Sequence, residues 1–267
     1  MTHDYSMILW VVMAAVAVLS GHVGLAWLAK ARRRPSLMLG WKAQLVAALT
    51  LGTGVTATAV LGLTNEVVKF PIGYGAVAAP VLWLGAIVIS LPMVAALSYS
   101  RRSWAVVLGA ALMTLVAVFA QAGWIWAAGF RPGVLWDYRL MAAGAAVMLV
   151  GFACSLWVLG LRKPDRHSRD THANDFLPLG MALMVGLSLV VGQQIVMGAS
   201  DLAAQYGSVY RNQVPGTVLS LSAGALVPLT LSIMSLDLVI RKSKPPRGST
   251  GLNPAKRRKR RHKVRQL

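Results

Sequence analysis

Seven apolar runs, each of roughly 20 residues or more, govern what this chain can fold into. They are Met7 to Ala29, Leu39 to Thr64, Ala76 to Ser98, Trp104 to Ala128, Leu140 to Leu161, Leu177 to Ala199 and Thr217 to Ile240. A helix rises about 1.5 Å per residue, so each run suffices to cross a hydrocarbon core about 30 Å thick. Backbone groups in lipid have no water to bond, and a lone apolar run satisfies them only as a helix. At 267 residues, 56% hydrophobic and with a mean hydropathy of +0.60, the chain is too apolar for a soluble domain. The expected fold is all-α, a polytopic membrane bundle of seven transmembrane helices over residues 1–242. A disordered basic tail over residues 243–267 follows.

Charge sets the orientation. Net charge is +19, and the bases are segregated: Lys69, Arg131, Arg139 and Arg211 fall on one side of the seven-span arrangement, and the remaining 23 of the 27 Lys and Arg on the other. Basic loops stay in the cytoplasm, so the N-terminus is expected outside and the C-terminus inside, in the inner (plasma) membrane. The first run is preceded by Asp4 and no base and is followed by Lys30, Arg32, Arg33 and Arg34, the pattern of an anchor and not of a cleaved signal. Pro92 in the third run and Pro228 in the seventh are expected to kink their helices. Trp124, Trp126 and Trp136 border the turn-rich loop Gly129 to Gly133, where indoles suit the headgroup level. The single Cys154 allows no internal disulfide and no cysteine metal site.

The runs also repeat internally. Spans two, four and six cross outward and carry comparable segments near their outer ends, Gly52 to Thr64, Thr114 to Trp126 and Gly186 to Gly198. Val55, Ala117 and Leu189 share one place, Ala59, Gln121 and Gln193 a second, and Leu63, Ile125 and Met197 a third. A helix pair thus occurs three times, with one extra helix expected at the start. Gln193 and Gln194 are adjacent amides in an apolar run, and amides need partners in hydrocarbon. Gln121, Gln193 and Gln194 with Thr56 and Thr58 are the candidate lining of an outer-leaflet cavity for a small polar ligand. The competing reading makes the amides helix-joining groups, each worth about 1 kcal/mol in membranes.

This layout resembles the MHYT-domain proteins, bacterial integral membrane domains whose three repeats each carry Met-His-Tyr-Thr near the outer ends of alternate helices. In that family the Met and His side chains are proposed to bind copper or another redox-active metal, and the domain to sense a diatomic gas or a ligand. The resemblance covers roughly Met7 to Ile240 through spacing, span number and orientation. The signature is replaced: Ala59, Gln121 and Gln193 stand at the histidine place and Thr58, Ala120 and Gly192 at the methionine before it. Of the trailing methionines only Met197 remains. Neither alanine nor an amide substitutes for imidazole as a ligand of a borderline metal. The resemblance therefore implies a degenerate member, without metal or other cofactor.

His22 in the first span and Asp237 in the last lie toward the inner side and suit either a proton path or snorkelling to the interface. His167 and His172 share an inner loop with Asp165, Asp170 and Asp175, a weak metal pattern better read as solvated. No hydrolase triad, phosphate loop or paired intramembrane carboxylates can be read, so no enzyme is expected. Three functions fit: a sensor-like or ligand-responsive membrane domain, a small transporter or channel subunit, and a non-catalytic scaffold whose tail recruits a protein partner. The tail block Lys256, Arg257, Arg258, Lys259, Arg260 and Arg261 is expected to hold anionic lipid headgroups at about 1 kcal/mol per base. Specific nucleic-acid recognition is not expected, since no folded reader accompanies the basic block.

Reporter fusions after Arg102 and after Lys242 are expected to report cytoplasm, and fusions between Phe130 and Tyr138 the outside; an outside signal from the C-terminal fusion would break the seven-span topology. A tail peptide is expected to bind anionic but not zwitterionic vesicles, and to dissociate as salt shortens the Debye length below ~5 Å. Salt-insensitive binding would point to a contact other than headgroup charge.

Overall fold

The computed structural model describes residues 2–32, 37–65, 72–100, 102–131, 133–161, 176–201, 207–210 and 213–243. Its helices are α1 (Thr2–Arg32), α2 (Leu37–Asn65), α3 (Ala78–Tyr99), α4 (Ser103–Ala127), α5 (Tyr138–Leu161), α6 (Phe176–Gly198), α7 (Gly216–Leu221) and α8 (Val227–Ser243). A π-helical turn, Ser222–Leu226, joins α7 to α8, and the three pieces make one seventh span. Seven helices are long and apolar enough to cross a membrane, as the sequence leads one to expect. The protein is a multi-pass integral membrane protein built as an all-α bundle. The basic tail with Lys256 to Arg261, and the loop with His167 and His172, lie outside the described residues.

The helices form a ring around a triangle. α2, α4 and α6 touch one another, while α1 packs on α2 and α6, α3 on α2 and α4, and α5 on α4 and α6. The nine places matched by the repeat converge there: Val55, Ala117, Leu189, Ala59, Gln121, Gln193, Leu63, Ile125 and Met197 are all at most 2% exposed. One expectation about the repeat is corrected. α1 fills the α2–α6 groove as α3 and α5 fill the other two, and the seventh span packs outside the ring on α1 and α2. The extra helix is therefore the last and not the first. Its π-turn sits just ahead of Pro228. Proline lacks the N–H that would bond the Gly224 carbonyl and its ring crowds that oxygen, so an added residue in the turn relieves the clash.

Small residues permit the close packing. A Cβ added at Gly52 would lie 2.7 Å from Cα of Ile87 in α3, and one at Gly186 would lie 2.7 Å from the Val18 backbone of α1. Gly54 lies against the side chain of Ser20 in α1. Lipid tails are as apolar as leucine, so helices associate through such van der Waals contact. Two hydroxyls inside the bundle bond their own helices: Thr50 donates to Ala47 O at 2.9 Å and Ser90 to Ala86 O at 2.7 Å. At the basic end, Arg32 Nε donates to Leu97 O at 2.7 Å, placing a cation at the C-terminus of α3.

The opposite end carries a cap of three short antiparallel ribbons. β1 (Gly73–Tyr74) pairs with β6 (Val214–Pro215), β2 (Phe130–Arg131) with β5 (Gly207–Ser208), and β3 (Leu135–Trp136) with β4 (Ser200–Asp201). Each ribbon joins loops that follow different members of the triangle. The Ser208 hydroxyl lies 2.8 Å from Ala128 O and 2.9 Å from Gly73 O, and Gly75 N donates to Ala127 O at 3.1 Å. Gly129 turns with φ +61° and Gly133 with φ +144°, values that side chains disfavour.

Gly52→Val and Gly186→Val are each expected to cost about 1–3 kcal/mol, because backbone must move apart to admit the side chain. Gly85, with nothing within 4 Å of its added Cβ, is the control, and Gly85→Ala is expected to change stability by less than about 0.5 kcal/mol. Reversible unfolding in mixed detergent micelles measures both.

Candidate functional site

Gln121 and Gln193 face the seam where α2, α4 and α6 meet. Each residue is 1% exposed. Gln121 Nε2 donates to Met197 Sδ at 3.3 Å, and Gln193 Nε2 to the Val55 carbonyl at 3.2 Å. Met197 follows Gln193 by one helical turn, so both amides border the same stretch of α6. The thioether is a weak acceptor, and both Gln Oε1 atoms are buried without a hydrogen-bond partner. A buried acceptor left unpaired costs about 1–3 kcal/mol.

The structure brings some of the expected lining together and separates the rest. Thr56 and Thr58 are fully buried on α2, and their hydroxyls donate backward, to Gly52 O and Gly54 O, each at 2.9 Å. They present no free donor to the seam. Gln194 does not join the pair: its Nε2 lies 3.6 Å from Met13 Sδ of α1, over Gly62 of α2. Adjacent helical residues point about 100° apart, so one amide of the pair reaches the α2–α4 side and the other α1. His22 is half-buried with Nδ1 unpartnered, and the side chain of Asp237 lies outside the described residues.

Two aromatic residues extend the site toward the cap. Trp124, one turn beyond Gln121, is 0% exposed, which corrects its expected place at the headgroup level; Trp126, on the opposite face, is 74% exposed. Tyr74 of β1 is also 0% exposed, and its ring meets Trp124 edge-on at 5.4 Å between centroids. Burial pushes the Tyr74 phenol above its usual range, so it stays protonated. Trp124 Nε1, Tyr74 Oη and, deeper on α4, Thr114 Oγ1 are buried without hydrogen-bond partners. The spacing of Trp124 from Gln121 was the available signal for its inward face; nothing in the loop sequence marked Tyr74.

The site is neutral. Donors at Trp124 and Tyr74 lie toward the cap, and carbonyl acceptors at Gln121 and Gln193 lie deeper. The chemistry of such a set is that of an uncharged partner that both accepts and donates hydrogen bonds. Met197 and Met13 supply the sulfur beside Gln121 and Gln194.

Gln121→Met keeps the side-chain length and removes an unsatisfied acceptor. Its effect on the unliganded protein is expected to lie between neutral and about 1 kcal/mol stabilising. Unfolding in mixed micelles checks this, and a loss above about 2 kcal/mol would mean that the amide is already fully bonded. Comparison with protein-family models, with curated proteins and with solved structures finds no match, so the reading of this site rests on the chain's own residues.

Proposed function

We propose that this membrane protein is a sensor-like, ligand-responsive domain, a degenerate relative of the MHYT proteins in which an amide pair stands where that family carries metal-binding histidines. The observation that carries the reading is the pair of buried, unpaired carbonyl oxygens on Gln121 and Gln193, at matched places of two repeats. Folding does not need these atoms unpaired, and methionine fills the same space without the penalty. Unsatisfied groups retained at a cost in stability are a mark of function.

A ligand donating hydrogen bonds to both oxygens ties α4 to α6. Its binding energy is then available to favour whichever arrangement of the triangle brings the amides together. Signal output requires only that this arrangement differ at the cytoplasmic loops or the tail. Absence of a carboxylate or imidazole at the three histidine places favours an uncharged ligand over a metal ion.

The test is thermal unfolding of the protein in nanodiscs against urea, short-chain amides, polyols and copper. A shift by an uncharged solute that disappears in Gln121→Met/Gln193→Met is expected, and copper is expected to leave the midpoint unchanged. Stoichiometric copper in the purified protein, lost in that double variant, would overturn the reading. Solute flux through proteoliposomes, abolished by the same variant, would replace it with transport.

A further inference from the structure

A cavity of about 500 Å³ opens between the first turns of α3 and the start of the seventh span. Ala79, Pro80, Trp83 and Leu84 of α3 and Leu219 of α7 line it, and the fully buried Trp124 lies innermost. Every side chain that lines it is apolar or an indole. The Trp83 indole N–H is directed to Thr53 Oγ1 at 3.4 Å, and Trp124 Nε1 is buried, so neither indole offers the cavity a hydrogen bond.

The mouth lies on the surface that faces lipid. Pro80 and Leu84 are exposed one turn apart, beside Val77, Val81 and Val88, which are 77%, 60% and 60% exposed. From Ala78 to Leu84 the cavity descends about 9 Å along the helix, starting just below the β1–β6 ribbon. Since α3 and the seventh span are both membrane-crossing, this opening is continuous with the bilayer interface of the bundle. Water entering it would find no polar partner, and an empty void would forfeit the dispersion contacts of its walls.

We propose that the cavity binds one acyl chain of a diacyl lipid taken from the leaflet at the cap end, with the headgroup level with the β1–β6 ribbon. The chain fits on three grounds: the lining excludes polar ligands, the depth admits only the upper part of a chain lying along the helix axis, and the leaflet supplies such chains at the mouth. Bound there, the chain fills the space between α3 and α7 and makes the lipid part of the bundle, distinct from lipid that exchanges freely around it.

Native mass spectrometry of the full chain, washed extensively in mild detergent, is expected to find a single diacyl lipid retained per protein. Ala76, just before α3, also lines the cavity, and Ala76→Phe/Leu219→Trp, which fills it, is expected to lose the lipid. Retention of no lipid, equal retention in the filled variant, or retention of an isoprenoid in its place overturns the proposal. Should the filled variant fail to insert, delipidated wild type in detergent is given one equivalent of a lipid brominated on its acyl chain. The tryptophan emission that Trp83→Phe removes is then expected to be quenched by that equivalent. Unquenched Trp83 emission also overturns the proposal.

Discussion

Close approach of neighbouring helices to the glycines of α2 is the condition on which the bundle rests. α2 is the most enclosed span, and it meets α3 at Gly52 and α1 at Gly54, with distances that leave no room for a Cβ. Bilayer helices gain little by hiding apolar surface from a solvent equally apolar, so the attraction is short-range and needs contact. α6 meets α1 at Gly186, and α5 meets α6 where a Cβ on Gly144 would lie 2.7 Å from Gly192 O. With these contacts α2, α4 and α6 come near enough for Gln193 of α6 to reach the backbone of α2, and for Gln121 of α4 to reach Met197.

That proximity gives the amides their unusual condition. An exposed or looser seam would admit water or lipid headgroups to both Oε1 atoms; the tight triangle leaves each glutamine with one donated bond and a bare acceptor. The repeat is also broken in a consequential way. At the third equivalent place Ala59 contributes no polar side-chain atom, so the amides lie on α4 and α6 and α2 meets them with its Val55 carbonyl. A ligand bound there bridges two repeats, and its energy acts between them.

Span number, the approximate limits of each span and the matched places of the repeat could be read from the sequence, because each depends on apolar length and spacing along one helix. What escaped depends on contacts between segments. The six strands are two residues each, too short to show alternation, and their partners lie in other loops, as Tyr74 and Val214 do. Trp124 and Trp126 are both tryptophans near a helix end; residue type does not separate the buried one from the exposed one, and only the spacing of Trp124 from Gln121 does. Gln193 and Gln194 look alike as a pair, and the helical angle between them sends them to α2 and α1. The position of α1 in the ring was hidden for a further reason: a cyclic arrangement of pairs can be opened at either end, and only packing on α6 identifies the seventh span as the addition.

Trp124 links the parts that the chain order keeps apart. Its ring closes the inner end of the lateral cavity, stands edge-on to Tyr74 at 5.4 Å and to Trp83 at 6.4 Å, and lies one helical turn from Gln121. Packed interiors transmit displacement because they have few voids to absorb it. An indole held by two edge-on rings therefore cannot tilt to fit a lipid chain without moving either Tyr74 and the cap ribbon behind it, or the α4 backbone that carries Gln121. Whatever binds at the amides and whatever fills the cavity share that wall, and linkage requires any effect of one on the affinity of the other to be returned in equal measure. A lipid chain in the cavity and a ligand at the amides would thus be coupled through one side chain, Trp124, whose inward face only its spacing from Gln121 signals.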